Sequence, residues 1–301
     1  YNAEMTPVYE WQGGCLGSWR NCGYRGIAGV TTGAGKTLMA VRGSLMLDEE
    51  MNNNLSVYVV VPKVALKKQW KEALAKNKVK DIEIWSSVRR KKGKYTILTI
   101  NTARDVLPLL VEKDFMEKRH VLLILDEVHH YGSPANSHIF DFMDSSHFCS
   151  PLYHSLGLSA TTKVRTLKGV LIPRVGDVFF RYSLSDALSD GIVNDFLVFN
   201  VAVHFIEEER LIYDVLSRDI LISFGKVYSA YPILKKINAT LFDVLDFLRK
   251  KGEEEMALNL ETLIRERRDL IIRADTRIKA VIGIIQYTEG KTIVLTERRD
   301  Q

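Results

Sequence analysis

The residues best suited to chemistry fall in two short segments. Lys36 lies in Val30-Thr31-Thr32-Gly33-Ala34-Gly35-Lys36-Thr37, and two adjacent acids open Asp126-Glu127-Val128-His129-His130. In the first segment, small residues let backbone amides approach a phosphate chain, and a helix starting there adds its partial positive charge. Lys36 then neutralises the β- and γ-phosphates, and the Thr37 hydroxyl is placed to hold magnesium. The first position of the usual pattern is glycine, and here it is Val30. In the second segment the carboxylates follow the apolar run Val121-Leu122-Leu123-Ile124-Leu125. A buried strand ending in Asp126 puts that carboxylate at the carboxyl edge of a sheet, where open α/β folds bind ligands. Asp126 suits magnesium held through water, and Glu127 suits orienting and deprotonating the attacking water. A bound cation is the natural partner of two adjacent carboxylates that repel each other. The two segments, in this order, are the parts needed to hydrolyse a nucleoside triphosphate. A third segment, Gly157-Leu158-Ser159-Ala160-Thr161, ends another apolar strand. Its two hydroxyls flank a small residue and are placed to sense the hydrolytic site.

These segments must be held by a scaffold. Short apolar runs predict strands over 26–30, 56–61, 82–85, 95–99, 121–125, 154–158 and 196–203. Several are apolar throughout, as in strands buried on both faces. Helical patterns fill the gaps over 36–47, 64–76, 102–110, 134–143 and 183–190, with Ser133 before Pro134 as a start signal. The alternation predicts an α/β domain with a mostly parallel sheet. Beyond residue 204 the spacing becomes helical, as in Leu241, Val244, Leu245 and Leu248, and charged blocks separate the apolar stretches. We expect an α/β domain over 1–203, a helical linker or insertion over 204–280, and the start of another unit over 281–301, where Lys291-Thr292-Ile293-Val294-Leu295-Thr296-Glu297 reads as a strand. The chain's first and last residues suggest a piece of a longer protein.

The chain has 301 residues, 46% hydrophobic and 26% charged, with a net charge of +5. Such a balance fits a globular protein and is compatible with a polyanionic partner. No apolar run is long enough to span a bilayer. Three cysteines are too few and too odd in number for a disulfide framework, and they point to a reducing, intracellular setting, cytoplasmic or nucleoid-associated. The basic run Arg89, Arg90, Lys91, Lys92 and Lys94 reads either as a phosphate-tracking surface or, slightly better, as a solvated loop. Lys63, Lys67, Lys68 and Lys71 form a second basic group.

Taken together, the motifs resemble those of superfamily 2 helicases. Gly33-Ala34-Gly35-Lys36-Thr37 is similar to motif I, Asp126-Glu127-Val128-His129 to motif II and Ser159-Ala160-Thr161 to motif III. His129 at the fourth position of motif II points to the DExH (DEAH-box-like) group, where it couples the ATP site to motif III. Trp11-Gln12 resembles the pair that reads adenine, with Tyr9 where the family often has arginine. Val61-Pro62-Lys63 with Leu66, Gln69 and Trp70 resembles motif Ia, and Thr99-Ile100-Asn101-Thr102 resembles motif Ib. The resemblance implies a RecA-like P-loop fold, ATP and Mg2+ as ligands, and nucleotide contacts from Gln12, Thr32, Gly33, Ala34, Gly35, Lys36 and Thr37. It also implies metal contacts from Thr37 and Asp126, and nucleic-acid contacts from Pro62, Lys63 and Thr102. The segment from Tyr182 to Gly191 resembles the close of the first lobe in XPB-like helicases and restriction motors. An ATP-driven motor on DNA is therefore the expectation, with a DExH RNA helicase, a restriction or antiphage motor subunit and a non-enzymatic nucleotide switch as alternatives. In this family a second RecA-like lobe supplies motifs V and VI, expected beyond Gln301, so residues 1–301 alone should turn ATP over weakly.

Overall fold

The computed structural model describes residues 9–86, 88–143, 150–161, 167–237, 239–290 and 292–294. The chain divides into two compact units, residues 1–196 and 197–301.

The first unit opens with helix α1 (Glu10–Asn21) and strand β1 (Arg25–Val30). It continues through α2 (Lys36–Glu50), β2 (Leu55–Val61), α3 (Val64–Lys76), β3 (Ile82–Ile84), β4 (Tyr95–Thr99), α4 (Ile100–Met116) and β5 (His120–Asp126). It closes with β6 (Tyr153–Ser159), a short turn of helix α5 (Ile172–Val175), β7 (Val178–Tyr182) and α6 (Leu184–Ser189). The strands form one sheet in the order β3-β4-β2-β5-β6-β1-β7, and every pair is parallel. This is the RecA-like α/β architecture that the motifs imply. All seven residues of β2 and of β6 are buried, so both faces are covered, as in a parallel sheet flanked by helices. One core layer joins Trp19, Met39, Val59, Trp70 and Ile97, and the other joins Tyr58, Leu98, Leu107, Leu123 and Tyr131.

Parallel pairing sends all seven strands the same way, so the segments after β1, β2, β4, β5 and β6 emerge on one edge. Those segments carry motifs I, Ia, Ib, II and III. The register sets Gly29 opposite Ser159 and Leu158 opposite Asp126, which places the end of β6 between the phosphate loop and the acidic pair.

Four expectations need correction or addition. No strand forms over 196–203. Those residues lack regular structure, and Phe196, Leu197, Val198 and Phe199 are exposed. Apolar β-branched sequence favours a strand only where a neighbour offers free backbone partners; the position beside β1 is taken by β7, a half-buried edge strand that the pattern did not reveal. In place of the helix expected over 134–143 the chain forms a 3-10 turn, Asn136–Phe140, preceded by another at Val128–Gly132. There Asn136 Nδ2 donates to the His130 carbonyl (2.8 Å) and the Ser137 hydroxyl to the Pro134 carbonyl (2.8 Å), local bonds that compete with a helical ladder. Ser133 still caps a single turn through its bond from the Asn136 amide. Helix α1 was also unexpected: Gly13, Gly14 and Gly17 disfavour it, but Trp11, Cys15 and Trp19 are buried, and the Trp19 indole donates to the Ser155 carbonyl on β6 (2.9 Å).

The second unit is helical, as expected, with α7 (Glu207–Ala230), α8 (Pro232–Lys236), α9 (Leu241–Lys250), α10 (Glu254–Arg273) and α11 (Asp275–Tyr287). Val244, Leu245 and Leu248 of α9 pack with Ile220, Val227, Ala257 and Leu260. Thr240 caps α9, accepting from the Asp243 amide while its own amide donates to the Asp243 carboxylate. Most of the strand expected over 291–297 lies outside the described residues, and residues 292–294 carry no regular structure. Among the described residues, no helix is long and apolar enough to cross a membrane.

Candidate nucleotide and nucleic-acid site

The loop between β1 and α2 exposes backbone amides at the start of a helix, the arrangement an anion site requires. Its start is pinned by the Thr31 amide, which donates to the Tyr182 carbonyl of β7 (2.9 Å). Gly33 (φ 83°) and Gly35 (φ 93°) take the left-handed conformation that lets the chain turn and expose its amides. Gly35 is the N-cap of α2 and no side chain caps that helix, so its first amides remain free to donate to a ligand. Ala34 is buried behind the loop, Thr32 is exposed, and Thr37 is half-buried at the start of the helix.

Lys36 folds back over this loop. Its Nζ donates to the Val30 carbonyl (3.2 Å) and lies 3.7 Å from Glu127 Oε1. The ammonium of motif I and the carboxylate of motif II thus converge, although 91 positions separate them in the chain (127 minus 36). Glu127 itself sits at φ 51°, ψ 58°, a left-handed conformation unusual for a residue with a side chain. Such strain, on the order of 1–3 kcal/mol, persists only where the surroundings impose it and is concentrated at working sites.

Asp126 lies beside it, at the end of β5. Its Oδ2 accepts a hydrogen bond from the Trp70 indole Nε1 (2.9 Å). Burial raises the Asp126 pKa, the Trp70 donor opposes that rise, the neighbouring Glu127 charge adds to it and Lys36 lowers it. A carboxylate in this position gains from a cation, which is the property the metal reading requires.

From Glu127 the polar contacts continue into motif III. His129 Nδ1 is 3.5 Å from Glu127 Oε2 and 3.0 Å from the Ser159 hydroxyl. Burial, with help from His130, lowers the His129 pKa, so the ring is neutral near pH 7. Ser159 is buried, whereas Ala160 and Thr161 are exposed at the end of β6. Gln12 is fully buried; its Nε2 donates to the Gly35 carbonyl (3.2 Å), and its Oε1 has no partner among the described residues. Trp11 stacks on Tyr182, with centroids 4.9 Å apart and an interplanar angle of 17°.

A cavity of about 610 Å³ runs from the loop along α3. Thr32, Gly33, Gly35, Lys36 and Thr37 line one part, and Asp126 and Glu127 another. Leu66, Gln69 and Ala73 form the wall from α3. The contact of Trp70 with Asp126 was not foreseen, because nothing in the spacing of α3 shows which way an indole N–H points.

The nucleic-acid candidates lie farther along the same sheet edge, after β2 and β4. Lys63 is exposed at the N-cap of α3, beside the half-buried Pro62, and the Thr102 hydroxyl lies 3.0 Å from the Thr99 hydroxyl at the start of α4. Other basic residues are already committed. Lys67 is buried, with its Nζ donating to the Trp85 carbonyl (3.1 Å), so it does not belong to an exposed basic group. In the 89–94 run, Arg89 (2.8 Å) and Lys91 (3.0 Å) pair with Glu83, Lys92 pairs with Asp114, and Lys94 pairs with Asp48 (2.7 Å). Three carboxylates therefore offset part of the positive charge of that run.

The family model described as type III restriction enzyme, res subunit, matches residues 8–164, more than half of the chain. The chain belongs to this family. With the motif order described above, it is a restriction-motor-like superfamily 2 helicase domain. No curated protein matches its sequence. Among solved structures, it is similar to a nuclease-deletion mutant of the type ISP restriction-modification enzyme LlaGI in complex with a DNA substrate mimic (16% identity, TM-score 0.46, 97% of this chain). The chain spans 34% of the LlaGI chain. It is also similar to the Sulfolobus solfataricus SWI2/SNF2 ATPase core in complex with dsDNA (15%, TM-score 0.48, 95% of this chain and 65% of that one). A third is the Pyrococcus furiosus Hef helicase domain (13%, TM-score 0.47, 93% and 72%).

Proposed function

We propose that this res-family domain is the ATP-hydrolysing lobe of a motor that moves along DNA, working with a second RecA-like lobe. The observation that carries the proposal is the meeting of Lys36, Asp126 and Glu127 in one cavity at the end of the sheet. On this reading the free amides at the start of α2 and the Lys36 ammonium hold the β- and γ-phosphates. The Thr37 hydroxyl and Asp126 hold Mg2+, which when bound neutralises phosphate charge during transfer. Glu127 takes the proton of the attacking water. The unpartnered Oε1 of Gln12 suits an amino donor, such as that of adenine, beside the Gly35 carbonyl already held by its Nε2. His129 and Ser159 carry the state of the γ-phosphate to motif III. Pro62, Lys63 and Thr102 contact the backbone of the nucleic-acid strand.

DNA is the favoured track because the family is one of restriction enzymes, and the same membership favours a restriction motor subunit over a stand-alone helicase. The sparse cysteines support an intracellular, reducing setting; Cys15 is buried and its thiol pKa is pushed up to about 12. The test is Glu127→Gln. ATP binding should persist while turnover falls roughly 10²–10⁴-fold, the usual contribution of a general base. Unchanged turnover would remove Glu127 from the reaction.

A further inference from the structure

Asp126 is the carboxylate expected to hold the metal, and one of its two oxygens is already engaged. The donor is Trp70 Nε1, 2.9 Å from Oδ2. Trp70 is 1% exposed, packed in the core layer that contains Leu74, Val59 and Ile97, so its ring has no freedom to swing away. An indole has one polar atom, a donor. Here that N–H points at the carboxylate that ends β5.

We infer that Trp70 is a positioning residue for the metal site: its indole N–H, through Oδ2, fixes the orientation of the Asp126 carboxylate that would hold the metal. This inference rests on the proposed role of Asp126. Three features support it. The bond is between side chains of elements 56 positions apart (126 minus 70), so local chain geometry does not impose it. A hydrogen bond to a carboxylate is charge-assisted, so the N–H holds that group's orientation more firmly than a neutral contact would. Finally, the ring of Trp70 belongs to the core while its N–H reaches the site, so the orientation of the carboxylate is tied to the packing of α3 on the sheet. Partners that orient a metal's ligands in this way typically change metal affinity by about 10–100-fold when removed.

The test uses Trp70→Phe, which keeps an aromatic ring and deletes the donor, in the full chain. Mn2+ is titrated by electron paramagnetic resonance in the presence of ATP, and ATP binding is measured separately without metal. The expected result is Mn2+ affinity weakened about tenfold or more, with metal-free ATP affinity within about twofold of the parent. Unchanged Mn2+ affinity would overturn the role of Trp70. If the parent chain itself bound no Mn2+ with ATP, the reading of Asp126 would fail instead. Should the variant not fold, ¹⁵N-tryptophan labelling of the parent provides the check. One indole N–H resonance should shift and broaden with Mn2+ and ATP, and no response from any indole would refute the inference.

Discussion

His129 Nδ1 and the Ser159 hydroxyl lie 3.0 Å apart and join motif II directly to motif III. The Ser159 hydroxyl proton is already given to the Thr161 carbonyl (2.8 Å), and its oxygen also accepts from the Thr161 amide (3.0 Å). The remaining bond therefore has His129 as donor, which places the proton of the neutral ring on Nδ1. The same nitrogen is 3.5 Å from Glu127 Oε2. Glu127, His129, Ser159 and Thr161 thus form one polar chain from the end of β5 to the end of β6.

If this chain couples nucleotide state to the track, His129→Ala and Ser159→Ala should behave alike. Each should lower DNA-stimulated ATP turnover about tenfold while leaving ATP binding within about twofold. The double variant should be little worse than either single one, because the two residues act through one contact. Turnover with and without DNA in the three variants is the measurement, and additive losses would separate the two residues.

Gly35→Ala should damage the phosphate loop. Gly35 has φ 93°, and a Cβ there would come within 3.0 Å of Gln12 Nε2. The left-handed backbone alone costs a residue with a side chain about 1–2 kcal/mol. We expect a lower melting temperature and ATP affinity reduced about tenfold or more, read by thermal unfolding and ATP titration.

Acid should destabilise the domain through a histidine pair far from the site. His154 is buried at the start of β6, and its Nε2 lies 3.0 Å from His120 Nδ1 at the start of β5. Burial, reinforced by His120, lowers the His154 pKa from 6.5 to about 4. The unfolded chain therefore takes up this proton first. The stabilisation is complete above about pH 6.5 and is lost as pH falls toward about 4, on the order of 3 kcal/mol in total. Melting temperature should fall across that interval, and the fall should be shallower in His154→Gln.

Much of the domain is visible in the sequence because strand and helix periods differ. The runs around Val59 and Leu123 give buried strands directly, and Gly33 with Gly35 signals the phosphate turn. Helix α1 escapes because glycines weaken its pattern and its stability comes from Trp19 docking on β6. Strand β7 escapes because an edge strand is only half-buried, while the more apolar run at 196–199 attracts the assignment yet finds no partner. At the site, residue types name Lys36, Asp126, Glu127 and His129. The orientation of Trp70 toward Asp126 depends on packing and has no one-dimensional signature.

The two basic groups should differ in their effect on DNA binding. Lys63→Ala should weaken DNA binding about equally across sequences and reduce the salt slope by about 1, as loss of one phosphate contact does. Arg89→Ala and Lys91→Ala should leave DNA affinity nearly unchanged, because both residues pair with Glu83. Binding isotherms at several salt concentrations distinguish the two groups, and an equal loss at Arg89 would restore the 89–94 run as a binding surface.

The convergence of Lys36 with the acidic pair is tested most directly by ATP affinity with and without Mg2+, in the parent chain and in Lys36→Ala. The account predicts binding strengthened by Mg2+ in the parent and weakened roughly 10–100-fold in the variant, as expected for a lost charge-assisted contact. Equal affinity in the two proteins, or binding indifferent to Mg2+, would contradict it.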